Sequence, residues 1–323
     1  MRRSNSALIY LAVLGAALAI GIGAGPGGFA LPGSPQVWQI RGLRVLLALM
    51  AGFSLASSGA SLQAVLGNPL AEPYLLGVSG GAACGAALAI VLGLGRGLLG
   101  AVALPLFSFA FGLATIVMVY RMARIRGRLP AETMILSGVV VNAFFSGAIM
   151  LLMSLAGRQL PEMVLLMMGS LGTVFSAATL PAFGLSLALT AGGGWYLWKQ
   201  GRDLDLLALG EPQAASLGVD TEGLKRKVFV VTALMAAAVI SLTGVIGFVG
   251  LIVPHLGRML SGPGNRKLIP AAAALGGSLL LVADAAARSL LPWELPIGVI
   301  TTMLGVPFFV FLLWQRKRSM ERP

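Results

Sequence analysis

The chain is short of charge, and shorter still of acid. Only 11% of its 323 residues are Asp, Glu, Lys or Arg, and 11 residues in all are acidic. Soluble domains carry charge at about a quarter of their positions, so this composition excludes one. A single cysteine, Cys84, excludes an internal disulfide and a cysteine-based zinc site. A single histidine, His255 in "VPH", excludes a histidine cluster, and its neighbouring proline reads as a structural place near a helix break. No G-x-x-x-x-G-K-[ST] and no H-E-x-x-H occurs, so the chain has neither its own phosphate cradle nor a helical zinc motif. A T-V-G-Y-G type of ion filter is also missing.

What the chain has instead is apolar length. Hydrophobic residues make up 57% of it and the mean hydropathy is +0.91. Runs of about 20 such residues recur, each long enough to cross a hydrocarbon core of about 30 Å as a helix. The pattern predicts an all-α, polytopic membrane protein, one transmembrane domain over residues 1–323. Its spans are 7–25, 44–66, 75–94, 98–120, 131–155, 179–199, 227–246, 247–260, 268–289 and 295–314. The eighth is too short to cross alone. It opens on "GVIGFVGLIVPH", whose Gly and Pro predict a broken or partly re-entrant element, tolerated at membrane depth only among other helices. The first run follows Arg2 and Arg3 as a signal peptide would, but the many later spans favour a retained helix. The longest polar segment, about residues 200–226, leaves no room for an appended soluble domain.

The net charge of +12 follows topology and does not point to nucleic acid. With the N-terminus inside, all but five of the 23 basic residues fall in inner loops and tails, among them Arg2, Arg3, Lys225 and Arg322. Both termini are then cytoplasmic. The five exceptions, Arg41, Arg44, Arg96, Arg158 and Arg288, fall on or near the outer face. Mid-span carboxylates, the usual mark of ion-coupled transport, are reduced to Asp284, and Arg288 four residues on supplies an internal partner. Glu72, Glu132, Glu162 and Glu294 read as span ends, with "ELPIG" starting the last helix. A chain with many packed spans, no filter, no ion relay and no ATP site calls for an energy source in a partner.

Four stretches carry a resemblance: "VWQIRGLRVLLALMAGFSLASSGASLQAVLGNPLAEPYLLGVSGGA" (37–82), "LLALGEPQAASLGV" (206–219), "GVIGFVGLIVPHLGRML" (244–260) and "LVADAAARSLLPWELPIGVITTMLGVPFF" (281–309). They resemble the permease subunits of type II ABC importers, the FecCD or BtuC-like family, which carry iron siderophores, haem or vitamin B12. The resemblance implies a homodimer with about ten helices per chain in the bacterial inner membrane, and a path on the dimer axis worked by alternating access. Two copies of a cytoplasmic ATPase, which would bind ATP and Mg, sit below, and a periplasmic substrate-binding protein docks above. It implies no catalytic residue, metal or cofactor in this chain.

By the same resemblance, Arg41, Arg44 and Arg288 receive glutamates of the binding protein. This chain has Gly42-Leu43 where the family usually has Leu-Pro between the first two arginines. A planar, permanently charged guanidinium suits carboxylate recognition. Internal pairing or reach to lipid phosphate is the other reading. Leu209, Gly210, Glu211, Ala214, Ala215, Leu217 and Gly218 resemble the coupling helix that enters a groove on the ATPase. Pro212 suits that helix's first turn and Gly218 its exit. Asn68, Pro69 and Leu70 in "GNPLAEP" resemble the cytoplasmic gate, although a tight turn also explains them. Met163, Met167 and Met168 suit either an outer vestibule or core packing. An iron chelate is the preferred substrate, cobalamin the alternative, and an ion-coupled secondary transporter the reading from another class.

Overall fold

The computed structural model describes residues 5–25, 28–29, 31–94, 97–173 and 175–320; Arg2, Arg3, Arg96 and Arg322 lie outside the described residues. The described residues form thirteen α-helices. Ten of them correspond one to one with the expected spans: α1 (Asn5–Gly23), α2 (Pro35–Leu66), α3 (Val78–Val91), α4 (Gly97–Ala123), α5 (Ala131–Leu155), α7 (Leu180–Lys199), α10 (Thr221–Thr243), α11 (Val249–Ser261), α12 (Asn265–Ser289) and α13 (Ile297–Met320). Three short helices complete the set: α9 (Glu211–Ser216), the short helix that Pro212 and Gly218 suggest, and α6 (Leu160–Met168) and α8 (Gly201–Leu207), which were not foreseen as elements. The chain is an all-α polytopic membrane protein. The end where α1 begins and α13 finishes is called the terminal end below, and the other the distal end.

Two helix starts differ from the sequence pattern because capping outranks hydropathy there. α2 begins at Pro35, ahead of residue 44, because the Ser34 side chain accepts from the Val37 amide and Pro35 supplies a pre-set first turn. At 32 residues α2 is about 48 Å long, well beyond the hydrocarbon thickness. "VWQIRGLR" therefore forms its first turns, and Arg41 and Arg44 stand three apart on one helical face. α10 begins at Thr221, ahead of residue 227, because the Asp220 carboxylate accepts from the Gly223 amide at 2.9 Å. Lys225 is thereby part of a helix and not of a loop.

The eighth span is a half-length element, as its glycines and proline suggest. α11 has 13 residues, about 20 Å of helix. Residues 244–248 before it are irregular, with Gly244 at φ 67° and Phe248 at φ 68°. A bulky residue in the left-handed region is costly, and Phe248 is held there by its ring, which lies where a Cβ on Gly305 of α13 would stand.

α2 and α12 form the spine of the bundle, and their contact is made by glycine. A Cβ on Gly52 would overlap the carbonyl of Gly276, and one on Gly276 the carbonyl of Gly52. Gly59 meets the Gly250 backbone of α11 in the same way. Lipid tails are as apolar as leucine, so close backbone approach is what drives such helices together. Gly52→Val must separate α2 from α12 and is expected to cost at least the about 1–3 kcal/mol typical of overpacking. A lowered melting temperature of the purified protein in detergent checks this.

Candidate functional site

At the distal end the three arginines singled out in the sequence converge on one assembly. Arg44 donates from Nε and Nη2 to Asp284 at 2.7–3.1 Å and from Nη1 to Glu294 Oε2 at 3.2 Å, and its Nη2 also pairs with Glu294 Oε1. Arg288 pairs with Asp284 at 3.0 Å and donates to the backbone carbonyls of Gly21 and Ala24 at 2.9 Å. Arg41 donates to the Ile22 carbonyl at 2.6 Å and more weakly to Gly23. The carbonyls at the end of α1, which no further helical turn can satisfy, are thus capped by guanidinium groups reaching from α2 and α12.

Burial divides the cluster into a fixed part and an open part. Asp284 is 2% exposed and Arg288 8%, so that pair holds α1, α2 and α12 together from inside. In this conformation the Arg288 guanidinium faces protein, as the internal reading of that residue has it. Glu294 has a side chain 44% exposed, and it lies on Arg44 and not at the first turn of α13, where the sequence reading put it. The reason is the pull of a full positive charge, which exceeds that of a helix end. Beside Arg44 runs a groove of about 320 Å³ walled by Gln36, Gln39, Ile40, Thr173 and Phe175.

A chamber of about 530 Å³ opens where α11 begins. Its wall holds Met167, Met168, Phe248, Thr302, Met303 and one carboxylate, Glu72, which accepts a hydrogen bond from the Phe248 amide. Met167 and Met168 face this cavity, whereas Met163 is fully buried in the packing between α3 and α6. Sequence reasoning treated Glu72 as a span end. The half-length α11 is the signal that would have placed it, since a helix starting at membrane depth needs an acceptor for its first amides.

A second cavity, about 590 Å³, lies at the terminal end of α11 and is lined by Gly67, Pro69, Ala131, Glu211, His255 and Arg258, among others. Arg258 donates to Gln63 Oε1 at 2.6 Å, and the Gln63 amide donates to the Gly250 carbonyl at 3.1 Å, which ties α11 to α2. The His255 ring packs edge-on against Phe308. Of the expected gate residues, Pro69 faces this cavity, while Asn68 accepts from the Leu70 amide at 2.9 Å in a local turn and Leu70 is exposed.

The segment 209–218 forms the short α9 at the same end. Gly210, at φ 120°, admits the chain, Pro212 stands in the first turn, and Gly218, at φ 86°, ends it. Ala214 is fully buried and seats α9 on the bundle. Ala215 and Ser216 face outward, and Leu209 and Leu217 are 64% and 60% exposed. Isolated leucines at the surface are ordinary; two flanking one six-residue helix form an apolar face suited to a partner. α8 beneath it is fastened to α12, where Asp205 Oδ1 accepts from the Asn265 amide at 2.6 Å and its side chain at 2.8 Å.

Cavities on either side of a half-length helix, in a bundle whose helices meet on glycine, define a permease: a class in which cargo passes among helices that move. The particular family follows from comparison with known proteins, for residues 28–315 match the FecCD transport family and the chain belongs to it. It is 37% identical over 297 residues to a cobalamin import system permease of Halobacterium salinarum, covering 91% of this chain and 78% of that one. The hemin transport system permease HmuU of Yersinia pestis is 38% identical over 292 residues, covering 88% and 85%. A solved metal-chelate type ABC transporter in an inward-facing conformation superposes with a TM-score of 0.84 at 31% identity, over 95% of this chain and 98% of that one. This chain is an ABC importer permease.

Proposed function

We propose that the protein moves a bulky metal chelate inward, an iron siderophore or haem in the first place, on ATP hydrolysed by a separate subunit. The observation that carries this is the pairing of two unlike faces at opposite ends of one bundle: an arginine cluster beside a groove, and an apolar α9 held on a rigid platform. The distal end then faces outside and takes a substrate-binding protein through Arg41 and Arg44, with Arg288 behind them. The terminal end is cytoplasmic and takes two ATPase copies through residues 209–218. Exposed Tyr74 and Met303 at the rim of the Glu72 chamber support a homodimer, since a facing copy would close the path there. ATP in the partner shifts the permease between two states by binding them differently. Cobalamin is the second reading, favoured by the cobalamin permease among its relatives.

The test is ATP hydrolysis by the assembled complex with its binding protein loaded in turn with ferric siderophore, haem or cobalamin. Stimulation by one ligand identifies the substrate, and no stimulation by any contradicts the reading. A finer expectation concerns Glu294, which occupies Arg44 where a partner's carboxylate would sit. Exposed pairs are worth about 0.2–1 kcal/mol, so Glu294→Gln is expected to tighten binding-protein association by up to about fivefold at low salt, and less at high salt. Weaker association would show that Glu294 builds the docking surface.

A further inference from the structure

We infer that Lys225 is the strut through which movement of α9 reaches the gate, a positioning residue for transport; this rests on α9 being the ATPase contact proposed above. Lys225 is 1% exposed, at the polar end of a membrane bundle where a lysine is ordinarily free to reach water. Its ammonium donates to three acceptors from three separate elements: Glu211 of α9 at 3.0 Å, Glu222 in the first turn of α10 at 2.5 Å, and the Leu129 carbonyl before α5 at 3.1 Å. An ammonium has three protons, so all are used.

The clamp on Leu129 is double. Glu222 Oε2 also accepts from the Leu129 amide at 2.8 Å, so both polar groups of that residue are held from α10. Pro130 and α5 follow directly, and the hairpin closed by Ile125 and Arg128 precedes it. Glu211 and Ala131, which flank this clamp, share a cavity wall with Pro69 of the expected gate. Displacement of α9 is thereby passed to the start of α5 and to the gate loop through one buried ammonium, although the side chains of its partners Glu211 and Glu222 are themselves 50% and 32% exposed. A simple surface pair would have neither the burial nor the three-way geometry. Breaking a buried pair is costly because it strands a charge, so the clamp moves as a unit and does not dissolve.

The test compares Lys225→Met, which keeps length and loses charge, with Lys225→Arg, in the complete importer reconstituted in proteoliposomes. The readout is ATP hydrolysed per molecule delivered, with ferric siderophore, haem and cobalamin as probes. Site-to-site coupling is usually worth about 5–150-fold, so Lys225→Met is expected to raise that ratio about tenfold or more while the ATPase stays bound, and Lys225→Arg to restore part of it. Should Lys225→Met fail to fold, Glu211→Gln cuts only the α9 arm and is expected to raise the ratio by itself. An unchanged ratio in a folded variant overturns the strut. An ATPase that stays bound to the Ala215→Arg chain as it does to wild type overturns the α9 reading and the strut with it, whereas a wild-type importer that moves none of the probes on ATP overturns the chelate reading.

Discussion

Asp284→Ala is expected to be the most damaging single change at the distal end. It removes the carboxylate shared by Arg44 and Arg288 and leaves two guanidinium groups facing each other among buried carbonyls. Loss of one partner from a buried pair costs about 3–5 kcal/mol, chiefly the penalty of the charge left behind. Arg44→Ala is milder in expectation, because Arg288 still neutralises Asp284. The order of melting temperatures, wild type above Arg44→Ala above Asp284→Ala, is measurable on purified protein in detergent. Equal stability of wild type and Asp284→Ala would mean that α1 is held by apolar packing alone. Asp284 is accordingly a structural residue here and not a proton relay, because its oxygens are already taken by two arginines.

Ala215→Arg is expected to abolish delivery of substrate with little change in the permease itself. Ala215 points away from the bundle, so its replacement meets no internal group, and such surface changes usually stay within about 0.5 kcal/mol of wild-type stability. If residues 209–218 enter a groove on the ATPase as proposed, a groove shaped for a small helix face would have no space for a guanidinium and no water to solvate it. Central contacts of this kind cost about 2 kcal/mol or more, which is some thirtyfold in affinity for the ATPase. Co-purification of the ATPase should fall while melting of the permease stays put. Undiminished transport would place the coupling contact elsewhere, and Leu209→Glu and Leu217→Glu would then locate it.

Nine of the ten expected spans are legible because each is a long apolar run, which hydropathy reports directly, and the eighth, α11, because glycines and a proline interrupt its shorter run. Helix ends are less so: the starts of α2 and α10 are set by Ser34, Pro35 and Asp220, single capping residues that a hydropathy window averages away. The same averaging hid Lys225, which reads as one more inner-loop cation until α10 is extended back to Thr221 and places it one turn from Glu222. Arg41, Arg44 and Arg288 stood out as exceptions to the charge asymmetry, and the Asp284–Arg288 pair follows from spacing along one helix. Glu294 on Arg44 did not, because the two are 250 residues apart in sequence and meet only through the packing of α2 on α12. Glu72 escaped for a related reason: its partner is the amide of Phe248, a backbone group with no sequence signature.

ATP-driven uptake is the measurement that bears most directly on the account. Proteoliposomes holding this chain with its ATPase and binding protein are filled with ATP or left empty and offered ferric siderophore, haem or cobalamin. Accumulation of one chelate that needs ATP and both partners is the predicted result, and accumulation by this chain alone on a proton or sodium gradient would contradict it.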